Sequence, residues 1–197
     1  MTERMVFYIE LVLFIIILIP TLMALISGAP WVPTPNARVK RMLELAKLKR
    51  GDRLYDLGCG DGRLVHMAAR DYGADAIGLE LSPLIYFMGR VKNFILRSKS
   101  KILFRDFRRI DYSNAKVLVF YLMPEVLQVM KPKFEAELKP GTLVVSYAFA
   151  IDGWTPIHIE PKDPAKNYSR ILVYEAPKSY EDPQAQETKE NGSEAKK

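Results

Sequence analysis

The sequence predicts an α/β domain on a mostly parallel sheet, entered through an apolar N-terminal helix. Three observations carry this. Short apolar runs alternate with segments of helical periodicity over residues 36–138. Most of those runs are continuously apolar, as in strands covered on both faces. A glycine-rich loop at 58–62 joins the first run to a helix.

The chain of 197 residues fits one domain with attachments. Its hydrophobic share, 49%, supports a core, although part of it sits at the N-terminus. A net charge of +6 favours anionic partners without choosing among them. No nucleic-acid-binding motif accompanies it, so no nucleic-acid partner is expected. Cys59 is the single cysteine, which excludes an internal disulfide. With His66 and His158 it makes no zinc-like spacing, and no metal is expected.

Residues 5–26 read MVFYIELVLFIIILIPTLMALI, with Glu10 as the one charge. As a helix this run spans about 33 Å, the depth of a hydrocarbon core. Pro20 is tolerated in such a helix. A signal peptide has a shorter apolar core, and a buried core helix needs an enclosing layer. The expectation is a transmembrane helix anchoring residues 1–28, with the lipid bilayer as a partner. Arg38, Lys40, Arg41, Lys47, Lys49 and Arg50 follow it, against Arg4 before it. From that asymmetry the domain that follows is expected on the cytoplasmic side of a single-pass protein.

Residues 29–50 form a linker and a pre-domain helix. Pro30, Pro33 and Pro35 keep 28–35 extended. Asn36 is the expected N-cap, and Val39, Met42, Leu43 and Ala46 recur at helical spacing. The main domain covers 51–176. Its strands are expected at 53–57, 76–79, 101–104, 116–122 and 142–149, with a closing pair at 157–160 and 171–175. Helices are expected at 62–72, 83–97 and 124–138, the last stopped by Pro140-Gly141. Residues 177–197 are rich in Glu, Lys, Gln, Ser and Pro and are expected to form a disordered tail.

The loop Tyr55-Asp-Leu-Gly-Cys-Gly-Asp-Gly-Arg63 carries the chemistry. A dinucleotide fingerprint would place its third glycine at position 63, where Arg63 stands. Asp61 would also face a pyrophosphate, which is electrostatically wrong. S-adenosyl-L-methionine has no phosphate. Its amino-acid end carries a positive amine and a carboxylate beside a sulfonium. Gly58, Gly60 and Gly62 let the backbone pass close to such a ligand, and helix amides can meet its carboxylate. Asp56 or Asp61 can meet the amine. Glu80, ending the second strand, can accept the ribose hydroxyls. Asp106 could accept the adenine amine, with Phe107 packing on the ring. Any one of these acids could instead cap a turn, and Cys59 reads as a small loop residue rather than a nucleophile.

On these residues the chain resembles the class I, seven-β-strand methyltransferases, and within them the small protein-lysine methyltransferases. That group includes an archaeal broad-specificity enzyme. It also includes membrane-anchored mitochondrial enzymes acting on adenine nucleotide translocase and the ATP synthase c-subunit. The resemblance covers about residues 31–176. It rests on the glycine loop, Val32-Pro-Thr-Pro35, Arg41-Met-Leu-Glu-Leu-Ala-Lys47, Gly78-Leu-Glu80, Lys131-Pro-Lys133, Glu137-Leu-Lys-Pro-Gly141 and Gly153-Trp-Thr-Pro156. It implies a Rossmann-like seven-stranded sheet, a role for Thr34 in cofactor binding, and a protein substrate methylated on lysine. The gap 105–115 is too short for a full helix, so the domain is a trimmed version with an open site.

Tyr121, ending the fourth strand, could orient the amine, and Trp154 could form a wall of a lysine channel. Each could equally be packing. No residue stands out as a general base. Residues 90–109 hold eight Lys or Arg against one acid, Asp106. They read as a solvated face, or as a surface for membrane or acidic substrate. Two other functions stay open: methylation of a lipid or quinone head group, and a non-catalytic S-adenosylmethionine-binding module.

Overall fold

The structure is a computed structural model that describes residues 3–27 and 32–180. Five strands run parallel: β1 (Arg53–Leu57), β2 (Asp75–Glu80), β3 (Lys101–Phe104), β4 (Val117–Phe120) and β5 (Leu143–Tyr147). β7 (Ile171–Glu175) lies antiparallel to β5, and β6 (His158–Glu160) antiparallel to β7. The sheet order is β3-β2-β1-β4-β5-β7-β6. The sheet is therefore mixed: a parallel body closed by the predicted strand pair.

The continuous apolar runs are explained by a core on each face. Along β4, Val117 and Val119 join one core, and Leu118 and Phe120 join the other. This is the two-residue period of a strand, with both faces covered. The first core is built by α2 (Asn36–Leu45) and α3 (Arg63–Asp71), through Val39, Met42, Leu43, Leu64, Val65 and Ala68. α5 (Pro124–Glu137) covers the other face with Leu127, Met130 and Phe134. α4 (Pro83–Ile95) packs along β2 and β3 and buries Ile85 and Gly89.

Chain order reverses direction at β1. The connection after β1 leads outward to β2 and β3, and that after β3 returns across to β4. The carboxyl ends of β1 and β4 lie at this switch point, the usual ligand position in such a sheet.

Several expectations need correction. The apolar segment forms α1 (Glu3–Ser27), which carries Glu3, Arg4 and Glu10 in its first eight residues. Among the described residues no helix is long and apolar enough to cross a membrane. A spanning helix needs about 20 predominantly apolar residues. The single-pass anchor, its bilayer contact and the cytoplasmic placement derived from it are therefore not retained. Pro35, not Asn36, occupies the N-cap of α2, without a side-chain cap bond. β4 is shorter than the apolar run 116–122, because Tyr121 and Leu122 leave the sheet toward α5. The tail does not begin at 177: Ser179 N–H bonds to the Glu175 carbonyl, and Tyr180 packs on Trp154. Residues 28–31 of the expected linker and 181–197 of the expected tail lie outside the described residues.

Candidate cofactor and acceptor site

The glycine loop leaves β1 over the end of β2. Gly58 and Cys59 donate backbone N–H bonds to the Leu79 carbonyl, at 2.9 and 3.0 Å. Gly62 adopts φ 74° as the N-cap of α3, a left-handed conformation that favours glycine. A Cβ there would collide with Ile102 Cδ1. Gly89 brings α4 close as well, since a Cβ on it would meet the Gly60 carbonyl oxygen at 3.1 Å. The loop is thus pressed between β3 and α4. Cys59 is buried beneath it, and burial, with Asp56 nearby, pushes its thiol well up. A neutral thiol is not a nucleophile.

Glu80 ties the loop to the next helix. Its Oε2 accepts the Gly60 N–H at 3.0 Å, and its Oε1 accepts Leu81 and Ser82 N–H at 2.9 and 2.8 Å. Asp56, on the neighbouring strand, is buried. Burial first, then the charges of Glu80 and Asp61, push its carboxyl up to about 8. Asp61 behaves oppositely. Burial raises it, but hydrogen bonds from Arg63 and Lys92 more than offset this and hold it below the usual carboxylate range. Lys92 Nζ lies 2.7 Å from its Oδ2.

Arg63 joins this cluster, a residue marked in the sequence only as the departure from the dinucleotide fingerprint. Besides gripping Asp61, it donates from Nη1 to the Thr34 carbonyl at 2.9 Å. This places the Pro-Thr-Pro segment beside the loop.

Asp106 and Phe107 are placed differently from Glu80. Asp106 caps a short 3-10 turn, Phe107–Arg109, accepting from Arg108 N–H and Nε. Phe107 is buried in the core, and its carbonyl accepts the Tyr112 hydroxyl at 2.6 Å. Phe107 thus packs inward, and the bonds of Asp106 are local to its own turn rather than directed to the glycine loop.

At the ends of β4 and β5 the rings of Tyr121, Tyr147 and Phe149 form an aromatic wall. Tyr121 meets Tyr147 edge-on at 5.1 Å and lies nearly parallel to Phe149 at 6.1 Å. Ala148 between them has φ 73°, a costly conformation for a residue with a Cβ. Arg38, buried, lies 6.0 Å from the Tyr147 ring centre and donates to the Ser169 carbonyl. No periodic signal marked Tyr147, Phe149 or Arg38. Trp154 is not part of this wall. It is buried among Tyr174, Tyr180 and Phe134, and its Nε1 donates to Glu135 at 2.8 Å.

Buried acid with too few cations fits a cationic ligand. Asp56 lies buried beside the glycine loop, its carboxyl pushed up by burial and then by the charges of Glu80 and Asp61, and a positive charge placed there would favour its ionised form. Fold and glycine loop together define a class I S-adenosylmethionine-dependent methyltransferase.

The relatives narrow the class. The chain belongs to the ANTKMT methyltransferase domain family, which matches residues 56–158. It is 40% identical over 155 residues to a protein-lysine N-methyltransferase of Saccharolobus islandicus (strain REY15A), covering 77% of this chain and 96% of that protein. It is 29% identical over 131 residues to the Mus musculus lysine N-methyltransferase of the ATP synthase c-subunit, covering 66% of this chain and 52% of that protein. The chain thus spans about half the length of that mouse relative. Among solved structures, an RNA methyltransferase from Salinibacter ruber, in complex with S-adenosyl-L-homocysteine, superposes with a TM-score of 0.70. The two are 36% identical, over 77% of this chain and 97% of that one.

Proposed function

We propose that the protein methylates lysine side chains of a protein substrate. The observation that carries this is the 40% identity to the Saccharolobus protein-lysine N-methyltransferase, extending over 96% of that enzyme. The site is suited to the task. When bound, S-adenosylmethionine supplies a methyl group on a sulfonium. Asp56 is assigned to the amine end of the ligand, Glu80 to the ribose, and the amides of Gly58, Gly60 and Gly62 to close backbone contact. Asp61 acts through Arg63 and Thr34, holding the linker against the loop. Asp106 is assigned to the adenine amine in this reading, whereas the ring of Phe107 stays in the core.

A lysine acceptor must first lose its proton. With a reference pKa of about 10.4, neutralising it at pH 7 costs about 4.6 kcal/mol. An apolar wall reduces that cost by disfavouring the charged form. Tyr121, Tyr147 and Phe149 supply the wall, and Tyr121 orients the amine, which can be worth several kcal/mol.

The test is transfer from radiolabelled S-adenosylmethionine into a cell extract, followed by separate nuclease and protease treatment. Label released by protease, with methyl-lysine found by mass spectrometry, is the expected result. Label released by nuclease would replace lysine with RNA, the acceptor class named for the Salinibacter structure.

A further inference from the structure

α4 buries only a narrow face. Ile85 and Gly89 point inward, while Leu84, Phe87, Met88, Val91, Phe94 and Ile95 are exposed. These six recur at three- and four-residue steps, so they form one stripe along the helix. Phe94 is 85% exposed and Ile95 71%. An apolar stripe of this kind on a solvent-facing helix marks an interaction site. Beside it, Leu103 and Phe104 of β3 are also exposed. β3 pairs on one side only among the described residues, with β2.

The rim is basic. Arg97, Lys99, Lys101 and Arg105 are all exposed, within a stretch of eight cations and one acid, and that acid, Asp106, is ion-paired with Arg108. A second copy of this chain would bring like charges together. Hydrocarbon would leave the open backbone edge of β3 without partners. A polypeptide satisfies all three features: an amphipathic helical part supplies apolar side chains for the stripe and carboxylates for the rim, and an extended flank supplies backbone groups for the edge.

We propose that α4 and β3 form a docking surface for an amphipathic segment of the protein substrate, apolar on one face and bordered by acidic side chains. The inference rests on the protein-lysine reading of the site. The N-terminal end of the stripe, Leu84, lies two residues beyond Ser82, whose N–H is held by Glu80. The surface therefore begins beside Glu80 and the glycine loop and leads away from them.

The experiment uses the full chain and two fluorescein-labelled helical peptides of about 20 residues, long enough to hold helical structure. Both carry leucines at three- and four-residue steps. One is bordered by glutamates, the other by lysines. The glutamate peptide is expected to bind at least tenfold tighter. Phe94→Asp should weaken it about tenfold, and the pair Arg97→Glu with Lys99→Glu should reverse the preference between peptides. Equal binding of both peptides, or unchanged affinity in these variants, would overturn the proposal. So would binding to phosphatidylserine vesicles without binding to either peptide, or self-association abolished by Phe94→Asp. S-adenosylmethionine affinity, measured on the same variants, should stay unchanged. Failure of cofactor binding in the unaltered chain would instead count against the site.

Discussion

Arg63 holds Asp61 and Thr34 with one guanidinium. Its Nε and Nη2 donate to the two Asp61 oxygens at 2.9 and 3.1 Å, and its Nη1 to the Thr34 carbonyl at 2.9 Å. The residue that breaks the dinucleotide pattern is thus the one that ties linker to loop. Arg63→Lys keeps the charge but loses the planar fork. Calorimetry should show S-adenosylmethionine affinity reduced about tenfold in Arg63→Lys and further in Arg63→Ala. Equal affinity in all three forms would refute the tether.

Asp56 gives a proton signature. Its carboxyl sits at about 8 in the folded protein against an ordinary value of 3.8, through burial and then the charges of Glu80 and Asp61. A raised carboxylate favours the folded state at low pH, and that contribution is lost as pH rises from the unfolded value through the folded one. Ligand-free stability should therefore decline between pH 5 and pH 8, and Asp56→Asn should flatten the decline. A cationic ligand favours the ionised form. Binding at pH 7 should release close to one proton, read from calorimetry in buffers of different ionisation enthalpy. Asp56→Asn should release none.

Ile102 is the shared neighbour of two glycines. Its Cδ1 would collide with a Cβ on Gly62 and lie 3.1 Å from one on Gly89. Gly62→Ala adds a left-handed backbone penalty to that clash, so a loss of about 1–3 kcal/mol is expected in denaturant unfolding. Ile102→Val removes Cδ1 and should recover part of the loss for Gly89→Ala. It should also relieve the clash in Gly62→Ala but leave a residual loss there, because the backbone strain persists. Simple additivity in both double variants would show that the two glycines are not crowded by Ile102.

Trp154 reports on stability rather than transfer. Trp154→Phe removes the bond to Glu135 and part of the packing on Tyr180, at about 1–3 kcal/mol. S-adenosylmethionine affinity should not change. A rise in KM for the methylated protein, with stability intact, would restore Trp154 to the acceptor channel.

The frame of the fold was legible because its signals are local. β1, β3 and β7 match their expected bounds, since apolar runs bounded by glycine or charge leave little choice. β4 was overread because Tyr121 and Leu122 are apolar for packing reasons outside the sheet. The loop and Glu80 were legible because their spacing follows chain order. Arg63, Arg38 and Tyr147 were not, since their roles depend on partners distant in sequence: Thr34, Ser169 and Tyr121. The setting of Trp154 was hidden for the same reason. Its motif marked the family, but Tyr174 and Tyr180 decide where the ring goes. The apolar run 5–26 shows the limit of reading hydropathy by itself. Among the described residues it does not amount to a spanning helix.

Glu80 carries a final consequence. An ionised carboxylate offers about four lone-pair positions. Leu81 and Ser82 fill both on Oε1, and Gly60 fills one on Oε2. A single acceptor position remains, so under the proposed assignment of Glu80 to the ribose the sugar is read through one hydroxyl rather than a matched pair. Discrimination between sugars then narrows to whichever hydroxyl reaches Oε2. Of the 2′-deoxy and 3′-deoxy forms of the cofactor, one should bind nearly as well as the parent and the other poorly.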